Sequence, residues 1–448
     1  MTARPPAQQP GGPVPLLRES VHVLLDNWHG HATVPAQGLY PHQWSWDSAF
    51  VALGLLHWAP RRAATELLSL FGAQWADGRI PHIAFNPAVH PDAYFPGPAF
   101  WRSSERTGHP PVDTSGLVQP PVHAVAALAV TDGLGDRGPA FARRAYPALV
   151  AQHAYLRTRR AAGPAQLAAV VHSWETGMDN SPAWDAPLQA VPADHDLFQT
   201  YTRRDLDHAG EGERPTDDDY ARYIRLALVY RDSGYDDDRV REEGEFVVVE
   251  PAFNALWAWS ELALAQLADR LGGDPSPHQD EAARITAALV AELFSAEGGL
   301  FTARDQRSGR RLAERTVGGL LPLVLPGLPP AVARALVATL TGPSFRAGSP
   351  ATAGVPTFDL TDPRFDAQRY WRGPSWLNTT WLVARGLEAH GNEALAAKLD
   401  ADVVRLASGA GLREYFDPLT GTGHGADRFS WSAALVLDTL LARSPAGT

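Results

Sequence analysis

Residues 251–273 read PAFNALWAWSELALAQLADRLGG. Phe253, Leu256, Ser260, Leu264, Leu267 and Leu271 recur at steps of three and four, the spacing of one helix face, with Pro251 in the first turn and Gly272 as a stop. Ile285, Leu289 and Leu293 continue the pattern in a second helix after a tight turn. Working outward from this hairpin, helical segments are expected to start near residues 15, 47, 61, 119, 138, 217, 251, 277, 315, 330, 374, 393 and 431. Strand patterns are scarce, and EFVVVE (245–250) is the clearest. The connections alternate: tight turns follow residues 58, 134, 272, 326 and 391, whereas 29–46, 77–118, 161–216, 341–373 and 409–430 are long. Helical hairpins closing into a ring would gather the short turns on one face and the long loops on the other. The expected fold is therefore all-α, an (α/α)6 toroid, with one predicted helix surplus to the twelve and a cap where parity is least regular, between 161 and 250. Residues 1–14, rich in Pro, Gln and Gly, are expected to be a disordered tail; 15–448 would form a single catalytic domain, with cap or lid segments at about 77–118 and 183–216.

Composition removes several classes of chemistry. The chain has 448 residues, 45% hydrophobic, enough for a sizeable core, and it contains no cysteine, which excludes disulfides, thiolate nucleophiles and cysteine-held metals. Lys398 is the single lysine, placed in a segment that reads as an exposed helix, so a P-loop and Schiff-base catalysis are excluded. A formal net charge of −11 argues against nucleic acid and anionic membranes as partners. The start MTARPPAQQPGGPVP lacks a signal-peptide pattern and prolines cut the apolar run LLPLVLPGLPP, so a soluble cytoplasmic protein is expected. No HExxH spacing, EF-hand loop or nucleophile elbow occurs, and no metal or cofactor is expected.

Four long loops combine aromatic and acidic residues: YPHQWSWD (40–47), WETGMDNSPAWD (174–185), RYWRGPSW (369–376) and REYFDPLTGTGHGADRFSW (413–431). Aromatic faces suit the C–H face of a sugar, carboxylates suit its hydroxyls, and two carboxylates across a glycosidic bond are the minimum machinery to cleave it. Each piece has a plainer reading. Trp44, Trp46, Trp371 and Trp376 would serve as core packing, Asp47 as an N-cap, Asp179 as a turn residue, and Glu414 as the partner of Arg413 in a surface ion pair.

Together the four stretches, with DGRIPH (77–82), TSGLVQPPVHA (114–124) and RPTDDDYARY (214–223), resemble glycoside hydrolase family 63, in particular its bacterial mannosylglycerate and glucosylglycerate hydrolases. The likeness runs through nearly the whole chain after residue 15. It implies an (α/α)6 toroid with a lid and an inverting mechanism, the general acid falling on Asp179 and the general base on Glu414. It also puts Tyr40, Trp44, Trp46, Asp47, His82, Gln119, Trp174, Tyr370 and Trp371 around the sugar or the bond, with Arg372 and Gly373 beside them. Arg214 and Tyr220 fall where the glycerate branch holds its acid group; the plainer reading pairs Arg214 with Asp217 to Asp219. Ala183 and Ser375 depart from the pattern, standing where a basic and a larger apolar residue are expected.

The implied activity is inverting hydrolysis of a 2-O-α-glycosyl-D-glycerate, which requires about 6.5–9.5 Å between the two carboxyl groups. The substrate would be a small anionic glycoside, with a homo-oligomer possible. The alternatives are a trehalase-like hydrolase of a neutral α-glucoside and a carbohydrate-binding toroid without catalysis.

Overall fold

The computed structural model describes residues 13–199, 201–203, 206 and 212–442. Residues 1–12 of the expected tail lie outside them, and Pro13 already begins a helix. The helices that build the frame, in chain order, are α1 (Pro13–Asp26), α2 (Ser45–Leu55), α3 (Pro60–Phe71), α4 (His123–Gly133), α5 (Gly138–Tyr155), α6 (Asp217–Asp232), α7 (Pro251–Arg270), α8 (Ser276–Leu293), α9 (Pro330–Thr341), α10 (Leu377–Ala389), α11 (Glu393–Ala410) and α12 (Ser430–Leu441).

Helices α2, α4, α7, α10 and α12 touch one another in a closed ring, the sixth place being taken by two 3₁₀ turns, Val317–Gly319 and Leu321–Val324, between α7 and α10. Around it, α1 packs on α12, α3 on α2, α5 on α4, α8 on α7, α11 on α10, and α9 on the strand Leu300–Phe301. This is the (α/α)6 toroid. Every residue of α2 is buried, as are those of α12 from Ser430 to Thr439, so these inner helices carry no amphipathic stripe. Outer helices do: α3 buries Ala63, Glu66, Leu67, Leu70 and Phe71 and turns its remaining face outward.

Helix boundaries follow local chemistry. Pro60 and Pro251 occupy first-turn positions, and Thr216 and Asp219 form a reciprocal capping box at the start of α6. Three expectations are corrected. The starts expected near 119 and 374 lie at His123 and Leu377: Pro120 and Pro121 withhold two backbone donors before the first, and Trp376 is extended before the second. The helix expected near 315 is replaced by the 3₁₀ pair. Gly318 and Gly319 weaken helical propensity, Pro322 cannot donate, and a Cβ at Gly319 would collide with the backbone of Phe301. Helix α6, the surplus one, lies outside the ring in the connection between α5 and α7, together with shorter helices at Asp185–Gln189, His195–Phe198 and Asp237–Glu243.

The long connections all enter inner elements at their N-termini, and the tight turns leave from their C-termini, for example at 56–59, 134–137 and 390–392. Short antiparallel pairings stitch the long loops: Gln43–Trp44 with Ile83–Ala84, and Tyr415–Phe416 with Gly423–His424, with a bridge from Ser375 to Phe416. The strand expected in 245–250 is Val248–Val249, third in a four-stranded antiparallel sheet ordered 161–162, 167–170, 248–249, 304–305. Among the described residues no helix is long and apolar enough to cross a membrane.

Gly54 marks the closest approach of two inner helices, since a Cβ there would collide with the backbone of Ala434 in α12. Gly54→Ala is expected to lower unfolding free energy by about 1–3 kcal/mol, the usual cost of overpacking, read from the denaturant midpoint.

Candidate active site

The mouth formed by the long loops contains a cavity. Tyr40, Trp44, Trp46, Asp47, His82, Gln119, Trp174, Asp179, Arg214, Tyr220, Tyr370, Trp371 and Glu414 all line it. Residues from opposite ends of the chain thus share one wall.

Glu414 precedes the strand Tyr415–Phe416 and is buried, not paired with Arg413, whose guanidinium faces Asp427 at 3.7 Å. Its Oε1 accepts from the Tyr40 hydroxyl at 3.0 Å and from Arg214 Nη1 at 3.5 Å; its Oε2 accepts from Arg214 Nη2 at 2.8 Å and the Ala426 N–H at 2.9 Å. Gly425, with φ +66°, lets the loop fold back over the carboxylate, where a Cβ would collide with it. Arg214 therefore pairs with Glu414 and not with the acidic run beside it. There Asp217 binds Arg203 at 2.7 Å, while Asp219 caps α6. Burial opposes the charge on Arg214, but Glu414 and the Tyr40, Tyr370 and Tyr415 hydroxyls outweigh it and keep the guanidinium protonated. The Tyr370 ring lies 4.6 Å from its Cζ. Tyr370 itself sits at φ +31°, a strained position for a residue with a side chain, of order ~1–3 kcal/mol.

Asp179 lies half-buried in the turn after the 3₁₀ segment Ser173–Thr176. Three side chains fix the backbone of that turn. The Trp184 indole donates to Met178 O at 2.8 Å, the Tyr223 hydroxyl to Asp179 O at 3.0 Å, and Arg372 to Asn180 O at 3.3 Å. Gly177, φ +69°, permits contact with the site floor, because a Cβ there would stand 2.5 Å from Trp46 Cζ2. The two tryptophans of the motif divide the work: Trp174 faces the cavity, while Trp184 is fully buried behind the turn.

Asp47 is the third residue of α2 and not its N-cap, a position held by Trp44. Its carboxyl stands well above the usual carboxylate range through burial; its own backbone N–H opposes this, and Glu414 and Glu66 add to it. His82 is held neutral, its pKa lowered to about 3 by burial and by His172, with Nδ1 2.5 Å from the Ser115 hydroxyl. Trp371 and Trp376 stack at 3.8 Å and 3° between planes, and Tyr415 extends the stack.

Two residues expected at the site lie off the cavity. Arg372 forms a two-pronged pair with Asp185 at 2.7 and 2.8 Å and braces the Asp179 turn from behind. Gly373 gives its N–H to Thr357 at 3.0 Å, packed so closely on Asp366 that no side chain fits. Conversely, Pro35, Tyr94, Gly177, Pro215, Trp376, Phe429 and Trp431 line the cavity without having been singled out as ligands. Trp376 and Trp431 stand inside the aromatic motifs, which was the available signal; Tyr94 sits in the segment 77–118 and meets Trp44 edge-on at 5.2 Å. Among the described residues no group of three or more His, Asp or Glu is placed to hold a metal ion.

Residues 40–432 match the family model of the mannosylglycerate hydrolase MGH1-like glycoside hydrolase domain. The chain is 40% identical over 441 residues to a mannosylglycerate hydrolase of Rubrobacter radiotolerans, covering 97% of this chain and 99% of that protein. It is 35% identical over 450 residues to a glucosylglycerate hydrolase of Mycolicibacterium hassiacum, covering 96% and 98%. The crystal structure of the GH63 mannosylglycerate hydrolase from Thermus thermophilus in complex with Tris and D-glycerate superposes with a TM-score of 0.87 at 40% identity, over 95% of this chain and 99% of that one.

Proposed function

Since the chain belongs to the mannosylglycerate hydrolase MGH1-like glycoside hydrolase family, we propose that it hydrolyses 2-O-α-glycosyl-D-glycerates with inversion at the anomeric carbon. One observation carries the reading: two carboxyl groups, Asp179 and Glu414, line the same aromatic cavity as a buried guanidinium, Arg214. Asp179 gives its proton to the glycosidic oxygen as the bond to the sugar breaks. Glu414 takes a proton from the water that attacks the opposite face. Asp47, in the first turn of α2, accepts a hydrogen bond from a sugar hydroxyl and fixes the ring. Trp44, Trp46 and Trp371 present flat apolar faces to its C–H bonds. Arg214 recognises the glycerate carboxylate, a planar anion matched to its fork, and Tyr220 stands beside that group.

Support for the anionic aglycone comes from the charge balance. In a protein of net charge −11, Arg214 is the one Lys or Arg among the described residues that line the cavity, and so the group available to an anion. Proton NMR with glucosylglycerate, mannosylglycerate and trehalose is expected to show cleavage of one or both glycerates and the β-anomer appearing first. Cleavage of trehalose alone would move the assignment to the neutral-substrate alternative, and the α-anomer appearing first would overturn inversion. Arg214→Met is expected to lower kcat/KM for the glycosylglycerate by about 10²-fold, the loss of a charge-assisted bidentate contact.

A further inference from the structure

Glu414 presents an unusual state for a group expected to accept a proton. A carboxylate has about four lone-pair positions. Here Oε2 is filled by Arg214 Nη2 at 2.8 Å and the Ala426 N–H at 2.9 Å, while Oε1 takes the Tyr40 hydroxyl at 3.0 Å; Arg214 Nη1 is 3.5 Å from Oε1 and makes its shorter bond to the Tyr40 hydroxyl at 3.0 Å. A carboxylate paired this closely with a buried guanidinium is a weak proton acceptor, so the pair must loosen for Glu414 to serve as the base.

The Ala426 N–H is not removable, because Glu414 N donates back to Ala426 O at 2.9 Å and the hairpin Tyr415–Phe416 with Gly423–His424 holds both strands. Tyr40 contributes a single neutral hydroxyl, which burial keeps protonated. Arg214 contributes the charged donor, Nη2, and through Nη1 also holds the Tyr40 hydroxyl. It comes from the segment 212–216 and not from the barrel wall, and its Nε is a fully buried donor without a partner. A guanidinium with an unfilled donor edge, lining the cavity, is poised to take a second carboxylate. Exchanging one carboxylate partner for another keeps the guanidinium charge compensated, while Glu414 retains the Tyr40 hydroxyl and the Ala426 N–H as donors. The Tyr370 ring under Cζ keeps its cation–π contact during a small pivot.

We infer that Arg214 masks the general base in the free protein, and that the carboxylate of the aglycone unmasks it by drawing the guanidinium off Glu414. The inference rests on the roles proposed above for Arg214 and Glu414. It assigns to the aglycone anion a part in turnover as well as in binding: a neutral glycoside that enters the cavity leaves the base engaged. In the reaction the water oxygen bonds to the anomeric carbon, the bond to the leaving group breaks, and the water proton goes to the Glu414 oxygen that Arg214 has released.

The test uses an α-glycosyl fluoride, whose leaving group carries no carboxylate and needs no proton, with fluoride release followed by electrode. Added D-glycerate or acetate is expected to raise kcat for the fluoride by about tenfold or more, the equivalent of one charge-assisted hydrogen bond, whereas glycerol has no effect. Arg214→Met is expected to hydrolyse the fluoride faster than the wild type without any added acid, and to ignore glycerate. Arg214→Lys, which cannot span both oxygens, is expected to lie between them. Fluoride turnover that is unchanged or only inhibited by carboxylates in the wild type overturns the masking, whatever the variants do. Failure of the underlying reading looks different: neither glycosylglycerate is then cleaved, whereas failure of the masking alone leaves them good substrates.

Discussion

Asp179→Asn and Glu414→Gln are each expected to reduce kcat on a glycosylglycerate by about 10²–10⁴-fold, the range contributed by a positioned acid or base. A shared loss would not separate the roles; the leaving group does. Fluoride departs without protonation, so with D-glycerate present an α-glycosyl fluoride should recover most of the activity of Asp179→Asn and little of that of Glu414→Gln. If both variants recover equally, the assignment of acid and base fails. The two substitutions should also differ in stability. Asn at 179 leaves untouched the bonds of Trp184, Tyr223 and Arg372 to the turn, since all three end on backbone oxygens. Gln at 414 removes the charge opposite Arg214, which is 2% exposed at its side chain, and leaves that cation buried without its counterion. A lowered denaturant midpoint for Glu414→Gln alone is therefore part of the expected result.

Glu175→Ala is expected to cost about 3–5 kcal/mol of stability, the penalty for breaking a fully buried ion pair from one side. Its carboxylate meets Arg160 Nη1 at 2.7 Å and Nη2 at 2.6 Å, and neither side chain is more than 1% exposed. The same oxygens accept the N–H of Val118 at 3.2 Å and of Val171 at 2.8 Å. Glu175 thus ties the segment that presents Gln119 to the turn that presents Trp174. Arg160 in turn reaches Asp237 at 3.0 Å, extending the network to the helix Asp237–Glu243. Pairing Glu175→Met with Arg160→Met removes both charges and should restore part of the loss, though the two backbone donors stay unpaired. Equilibrium unfolding of the three variants checks this; a Glu175→Ala loss below about 1 kcal/mol would contradict the energetic role.

Helix positions were legible where local chemistry marks them. Pro60 and Pro251 in first turns, the capping box at Thr216 and the glycine after α7 are short-range signals, and the starts fall within a few residues of expectation. Short helices such as His195–Phe198 carry too few residues for a period to show. The 3₁₀ pair at 317–324 has an apolar pattern that fits a helix; the tertiary contact of Gly319 with Phe301 decides against one. At the cavity, the aromatic motifs pointed to the right loops because their composition is unusual for connections. What composition does not carry is direction. Trp174 and Trp184 are equivalent as letters, and only the fold turns one to the cavity and the other behind it. Arg214 is the sharper case: three acids follow it within five residues, yet its partner stands 200 positions away, because α6 consumes the nearby acids as caps and surface pairs.

Because long connections enter the ring at one end of its inner helices and tight turns leave at the other, selectivity and frame stability are addressed from opposite poles. The cavity lining comes from the long connections and the first turns of the helices they enter, so substitutions that retune selectivity belong there. Thermostabilising changes belong at the opposite pole, around 56–59, 134–137 and 390–392, where an added proline or a closer turn is remote from the chemistry.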